Sequence, residues 1–529
     1  MITTVLPASN REFRAEFSGS PAGKAALPFV FASIWGAGAA GNRRMSPPSR
    51  RLAVTFSRSW IFAGLLALGL VGLNTELHSK SVSLSQEEDP LRVKAPRSLV
   101  LMIADGFGLS SLTLARASRS APLHLNRLMV GSVATASSSS LITDSAASAT
   151  ALATGSDTDN GVIGLDPSGG HLTNLMERAR DAGLRTGVVT TTSITHATPA
   201  AFSAHVMSRS DEEAIALQQL ESGIDVLLGG GRDYFTASRS DGRNLLEEAR
   251  ASGWSVVVTP EQFSVAGQRP LLGVFAPRHF AYRIDMQSDA GDSQGQPTLA
   301  EMTSRALSLL SEGDAAFVLV VEGGRIDHAG HDNDIASHLL EIFDFDAAVG
   351  VAQAFAEADG KTLVVSVSDH ETGGLALGRN HGSRSAQNWD PSMLKMQSAS
   401  LERMIERIEV GESVADVFSA VGGVTDLEAP EEELLTSAQA LVPDLDQKST
   451  RREAVLELSR VLMEPLARRA SIEWTTRGHS AVDVPIFATG VGWERFVGNR
   501  THAELGRLLQ QMLRLDEPPV DQPEGAVSR

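Results

Sequence analysis

Three apolar runs in this chain each end in a glycine turn that carries carboxylates, and two of the three carry imidazoles as well. The first is Leu99-Val100-Leu101-Met102-Ile103-Ala104-Asp105-Gly106-Phe107-Gly108. The second begins at Val318 and leads through Glu322 to Asp327, His328 and His331. The third begins at Leu363 and leads to Asp369, His370 and Glu371 before Gly373 and Gly374. Short continuous apolar runs bounded by glycine read as strands buried on both faces, the pattern of a parallel sheet. In open α/β sheets, ligands bind outside the carboxyl ends of the strands. Three strands that carry Asp, Glu and His to that edge therefore predict a fold and a site together. Any one of them would pass as a capped or salt-bridged loop; three at one edge would not.

The chain between these runs alternates in period. The spacing predicts helices over His171–Ala182, Asn244–Ser252, Thr298–Ser311 and Ile335–Ala358, and strands over Arg185–Thr191, Asp225–Leu228, Trp254–Val258 and Ala316–Val321. The expected fold is a three-layer α/β/α sandwich with a large, mostly parallel central sheet. It would occupy residues 98–513. Residues 376–473 are polar, acidic around Glu428 and Glu431–Glu433, and helical by pattern, so they read as an insertion on that core. A strand over Val484–Thr489 and an amphipathic helix over Ala503–Leu513 would close the fold. Residues 514–529, rich in proline beyond Asp516, are expected to form a flexible tail.

Residues 1–97 form a basic leader. The first 60 hold eight Lys/Arg and two Asp/Glu, whereas the whole chain carries a net charge of −18. The apolar run Trp60–Leu73 follows Arg50, Arg51 and Arg58. Fourteen residues are short for a spanning helix and suit the apolar part of a signal peptide. Export to the periplasm or the exterior is expected, with a retained membrane anchor at Trp60–Leu73 as the alternative. Ser46-Pro47-Pro48-Ser49-Arg50 matches the Ser-x-Pro-x-Arg of sulfatase active sites, but it precedes every strand and is read as coincidence. The acidic body argues against nucleic-acid binding driven by counterion release. It does not exclude a phosphate substrate, because bound cations are the largest local charges in such a site. The chain has no cysteine, so any zinc must be held by imidazoles and carboxylates.

One more stretch bears on chemistry. Thr143-Asp144-Ser145-Ala146-Ala147-Ser148-Ala149-Thr150 sets a serine between an acid and a run of small residues that can begin a helix. The first N–H groups of a helix lack internal partners and favour an anion. By itself such a serine is usually a cap. Beside three ligand-bearing strands it becomes a candidate nucleophile.

Taken together these motifs resemble the alkaline phosphatase family. Asp105-Gly106-Phe107-Gly108, Asp144-Ser145-Ala146-Ala147-Ser148-Ala149-Thr150, Thr195-His196-Ala197-Thr198-Pro199-Ala200, Glu322-Gly323-Gly324-Arg325-Ile326-Asp327 with His331, Asp369-His370-Glu371-Thr372-Gly373-Gly374 and Arg477-Gly478-His479 occur in that family's order. So do Leu228-Gly229-Gly230-Gly231-Arg232 and Pro270-Leu271-Leu272-Gly273-Val274. The resemblance implies a phosphomonoesterase that passes through a phosphoserine at Ser145, with Arg209 gripping phosphate oxygens. It implies two zinc ions, one on Asp327, His331 and His479 and the other on Asp105, Asp369 and His370. It also implies a magnesium on Asp105, Thr198 and Glu322. Small phosphate monoesters as substrates and a homodimer are expected on the same ground.

His196 and His328 stand where some members carry Asp and Lys, which points to a subtype with histidine at both positions. An imidazole at 196 would bind the third ion or hydrogen-bond its waters, and would favour zinc there more than a carboxylate does. A phosphodiesterase or sulfatase of the same superfamily and a catalytically dead binding protein are the competing readings. Arg209 argues against the first and the complete ligand set against the second. His171 and His205 read as surface or packing histidines and receive no role.

Overall fold

The computed structural model describes residues 95–287, 295–378 and 389–515. Residues 1–94 of the leader, with the run Trp60–Leu73, and the tail from Asp516 lie outside the described residues. The core is a ten-stranded sheet. Its strands are β1 (Ser98–Ile103), β2 (Met129–Ala134), β3 (Arg185–Ser193), β4 (Val226–Gly230), β5 (Ser255–Val257), β6 (Leu271–Val274), β7 (Phe317–Glu322), β8 (Thr362–Val367), β9 (Val484–Gly490) and β10 (Gly498–Thr501). They lie in the order β10-β2-β9-β8-β1-β7-β3-β4-β6-β5. Only β9 runs against its neighbours, β8 and β2. The expected mostly parallel sheet is thus present, with the first apolar run at its centre.

The side chains of β1 show why both faces had to be apolar. Val100 and Met102 enter one core, while Leu99, Leu101 and Ile103 enter another. Strand residues alternate between faces, so a strand covered by helices on both sides needs no polar position. On one side lies the helix Ile335–Asp359, begun by the Asp334 carboxylate and ended at Gly360 in a left-handed conformation. The helix Leu299–Leu310 packs beside it, with Thr298 and Glu301 forming a reciprocal cap. The opposite face carries the helices Ser145–Thr154 and His502–Met512. These two cross closely at Gly506, where a Cβ would stand 2.6 Å from the Ala151 and Leu152 carbonyl oxygens.

One helix begins later than its pattern suggests. The expected His171–Ala182 helix spans only Leu175–Asp181. Asn174 accepts from the Glu177 N–H at 3.0 Å, and Glu177 accepts from the Asn174 N–H at 2.8 Å. That reciprocal cap fixes the start, and His171 instead pairs with Leu165 in an isolated bridge.

Between Leu377 and Ile472 the described chain is helical, with α-helices at Leu401–Glu409, Val414–Val421, Ala429–Ala438, Val442–Leu445 and Arg451–Arg469. Short strands at Leu375–Leu377 and Ile472–Trp474 pair antiparallel where this segment leaves and rejoins the core. No helix among the described residues is long and apolar enough to cross a membrane.

Candidate active site and metal centre

Strand register brings the acids together. Ile103 at the end of β1 lies opposite Glu322 in β7 and Val367 in β8. Asp105 and Asp369 each follow two residues beyond their strand, so three carboxylates converge at one carboxyl-end edge. All three are fully buried. Gly106, at φ +76°, lets Asp327 approach; a Cβ there would lie 2.7 Å from the Asp327 Cα.

Ser145 is the first residue of the helix Ser145–Thr154, all ten of whose residues are buried. The cap is Asp144, whose Oδ1 accepts from the Ala147 N–H at 3.0 Å. This frees Ser145 from capping. Its Oγ lies 3.2 Å from His370 Nε2, across to the end of β8. The other Asp144 oxygen accepts from the Gly161 N–H at 3.0 Å and from Arg209 at 3.1 Å.

Three histidines present the same nitrogen to the centre. His331 Nδ1–H donates to the Arg477 carbonyl at 2.5 Å, and His479 Nδ1–H donates to the Thr143 carbonyl at 2.8 Å. His370 Nδ1 is 3.2 Å from Thr372 Oγ1. Fixing one ring nitrogen in this way aims the other as a ligand. His331 Nε2 is then 3.3 Å from Asp327 and 3.2 Å from His479 Nε2. His370 Nε2 is 3.1 Å from Asp369 and 3.8 Å from Asp105. The residue sets Asp105–Asp369–His370, Asp327–His370–His479 and Asp105–His196–Glu322 each bring their ligand atoms within 4.8 Å of one another.

The polar atoms left over fit cations. Both Asp105 oxygens, Asp369 Oδ2 and Glu322 Oε1 are buried with no hydrogen-bond partner. Buried polar groups are ordinarily paired, so this concentration of free acceptors calls for positive charge. Without it, burial and the neighbouring carboxylates Asp369, Asp327 and Glu322 push Asp105 far above the usual range. Burial likewise pushes Glu322 up to about 7, although the Thr190, Thr198 and Thr192 hydroxyls oppose this. Burial also works against an ionised Asp327, yet His331, His370 and His479 hold it well below the usual carboxylate range. Its partner His331 resists burial and rises to about 9 through Asp327. A divalent ion replaces such protons and leaves every carboxylate charged.

His196 begins the short helix Ala197–Ala201, which carries the buried Thr198 beside Glu322. Arg209 reaches His196 Nε2 at 3.0 Å, and His196 Nδ1 is buried without a partner. His328 Nδ1 accepts from Arg325 at 2.7 Å. Arg325 is itself buried, lies 3.7 Å from the Tyr282 ring and pairs with Glu402 of the 376–473 segment at 2.6 Å.

Sequence reasoning missed one member of this group. His279 lies edge-on to His328 at 4.5 Å and to His196 at 5.7 Å between ring centroids. Its Nδ1 accepts from the Ser193 N–H at 3.1 Å. Burial and the nearby Arg325 lower it to about 3, so all its donor capacity is at Nε2. It lies beyond the end of β6 with no glycine turn before it, so the strand-end pattern does not reach it. Asp144 and Arg325 were also passed over as working residues.

Comparison with known proteins identifies the family. The family model described as alkaline phosphatase matches residues 96–515. An alkaline phosphatase of Schizosaccharomyces pombe is 34% identical over 447 residues, covering 78% of this chain and 81% of its own length. The crystal structure of a cold-active alkaline phosphatase from Shewanella sp. superimposes with a TM-score of 0.69 at 34% identity, covering 79% of this chain and 99% of that one. A variant of the TAB5 alkaline phosphatase, with a histidine replaced by glutamate and magnesium bound in a site called M3, superimposes with a TM-score of 0.59 at 28% identity over 80% of this chain and 99% of its own. The chain belongs to the alkaline phosphatase family and is a phosphoric monoester hydrolase.

Proposed function

We propose that the chain is an exported, metal-dependent phosphatase that hydrolyses small phosphate monoesters through a phosphoserine at Ser145. The observation that carries this reading is the Ser145 hydroxyl, at the start of a ten-residue helix and 3.2 Å from His370 Nε2, which itself lies 3.1 Å from Asp369 and 3.8 Å from Asp105. Asp327, His331 and His479 would hold one zinc ion, and Asp105, Asp369 and His370 a second. Asp105, Thr198 and Glu322 would hold magnesium, with His196 and His328 beside it. When bound, these ions would neutralise the phosphate oxygens and favour the ionised forms of the attacking and leaving oxygens.

The chain's own residues do the rest. Arg209 offers a planar fork to two phosphate oxygens. The free N–H groups at the start of the Ser145 helix add positive potential at the phosphorus. Ser145 Oγ attacks phosphorus as its proton passes to water; the ester P–O bond breaks and the alcohol leaves with a proton. Water then attacks the phosphoserine, the Oγ–P bond breaks, and Ser145 regains its proton as inorganic phosphate departs.

Export by way of the Trp60–Leu73 segment, cleaved as a signal or kept as an anchor, and assembly as a homodimer complete the proposal. So does the division into a leader, a catalytic domain over 98–513 carrying the 376–473 insertion, and a tail. Turnover of a panel of phosphate mono- and diesters tests the reaction class. Monoesters should be preferred by orders of magnitude; equal rates on diesters would contradict the reading.

A further inference from the structure

His171, Glu177 and His205 form a cluster separate from the ligand sets above. His205 belongs to the same segment as Arg209, which follows it in the chain. One ligand atom from each of the three lies within 4.8 Å of the others. The two imidazoles stack at 3.9 Å between centroids, with 24° between their planes. Glu177 Oε1 is 3.4 Å from His171 Nε2, and Glu177 Oε2 is 3.6 Å from His205 Nε2. Those distances are too long for firm hydrogen bonds. They match the ~3.3 Å that separates two ligand atoms of a tetrahedral zinc with bonds of about 2.0–2.1 Å.

We propose that His171, Glu177 and His205 form a peripheral zinc site, with the fourth position open to water. Two imidazoles and one carboxylate are a common zinc donor set. Each ligand is positioned by its own backbone. Glu177 is held by its bond from the Asn174 N–H, His171 by its bridge to Leu165, and His205 by its bond from the backbone N–H to Gln218 at 2.7 Å. His205 Nε2 now lies 3.2 Å from the Leu172 carbonyl, and an ion bound at that nitrogen would replace this contact. The His171 side chain is 55% exposed, so an ion and its water can enter.

The site would act on the catalytic face through the chain. Val206 bridges Ile163 in both directions, at 2.9 and 3.0 Å, and the Arg209 N–H donates to the Gly161 carbonyl at 2.8 Å. Zinc at His205 would therefore clamp the ladder that presents Arg209.

The test uses the metal-loaded enzyme and zinc alone. After equilibration with excess zinc and gel filtration, wild type should retain one more zinc per chain than the double variant His171→Ala/His205→Ala. Added zinc should raise the Tm of wild type and leave that of the variant unmoved. The single variant His171→Ala, which changes an exposed side chain, gives the same readings if the double variant folds poorly. Equal zinc content in wild type and a folded variant, or an equal Tm response, would overturn the site.

Discussion

Arg209 donates to Asp144 at 3.1 Å, and Asp144 is the residue that caps the helix beginning at Ser145. The proposed phosphate grip and the proposed nucleophile are therefore tied through one carboxylate. Its first oxygen sets the helix and its second sets the arginine. The second guanidinium nitrogen rests on His196 Nε2 at 3.0 Å, a neutral partner that a phosphate oxygen can displace.

Replacing Arg209 with Ala should weaken inhibition by inorganic phosphate more than it disturbs metal content. Loss of a charge-assisted contact costs ~1.5–3 kcal/mol, or roughly 10- to 150-fold in affinity. Product-inhibition constants for wild type and variant, measured at equal metal loading, give the comparison. An unchanged constant would remove Arg209 from the phosphate site.

Chelation should abolish hydrolysis, and zinc should restore it better than calcium. Both Asp105 oxygens, Asp369 Oδ2 and Glu322 Oε1 are the reason, since they are buried with no hydrogen-bond partner. Metal analysis of the His171→Ala/His205→Ala variant should find about two zinc ions in the centre, as two-metal sites hold. Full activity with a single divalent ion per chain would contradict the model.

His196→Asp should shift the third site toward magnesium. A carboxylate replaces nitrogen by oxygen, which magnesium prefers. Magnesium titrations of the rate, with metal content followed alongside, should separate the two proteins. Superimposable titrations would show that His196 does not tune that ion.

Glu402→Gln should loosen the back of the site from outside. Glu402 reaches the buried Arg325, which in turn holds His328. The Glu402 side chain is half exposed, so the loss in stability should be only about 1 kcal/mol. Chemical denaturation measures that loss, and the KM for a monoester should rise with it. A KM equal to that of wild type would confine the Arg325–Glu402 pair to structure.

Much of this was legible because the chemistry sits where strands end. Apolar runs with no polar position, such as Leu99–Ile103, announce strands covered on both faces. Asp105, Glu322 and Asp369 then follow from strand ends alone. Helix limits at Asn244, Thr298 and Asp334 were readable because each side chain caps its own helix. What escaped was long-range. Nothing local in the sequence joins Arg325 to Glu402, or His279 to His196 and His328, because those meetings depend on how the helical segment and the β6 loop pack. The His171–Glu177–His205 cluster escaped for the same reason, and the late helix start at Leu175 was hidden by a cap that competes with the apolar period.

The most direct test is acid-quenched protein after incubation with labelled inorganic phosphate, comparing wild type with Ser145→Ala. The account expects label on wild type, mapped to Ser145, and none on the variant, with fold and metal content retained. Label on the Ala variant, or on any other residue of the wild type, would contradict it.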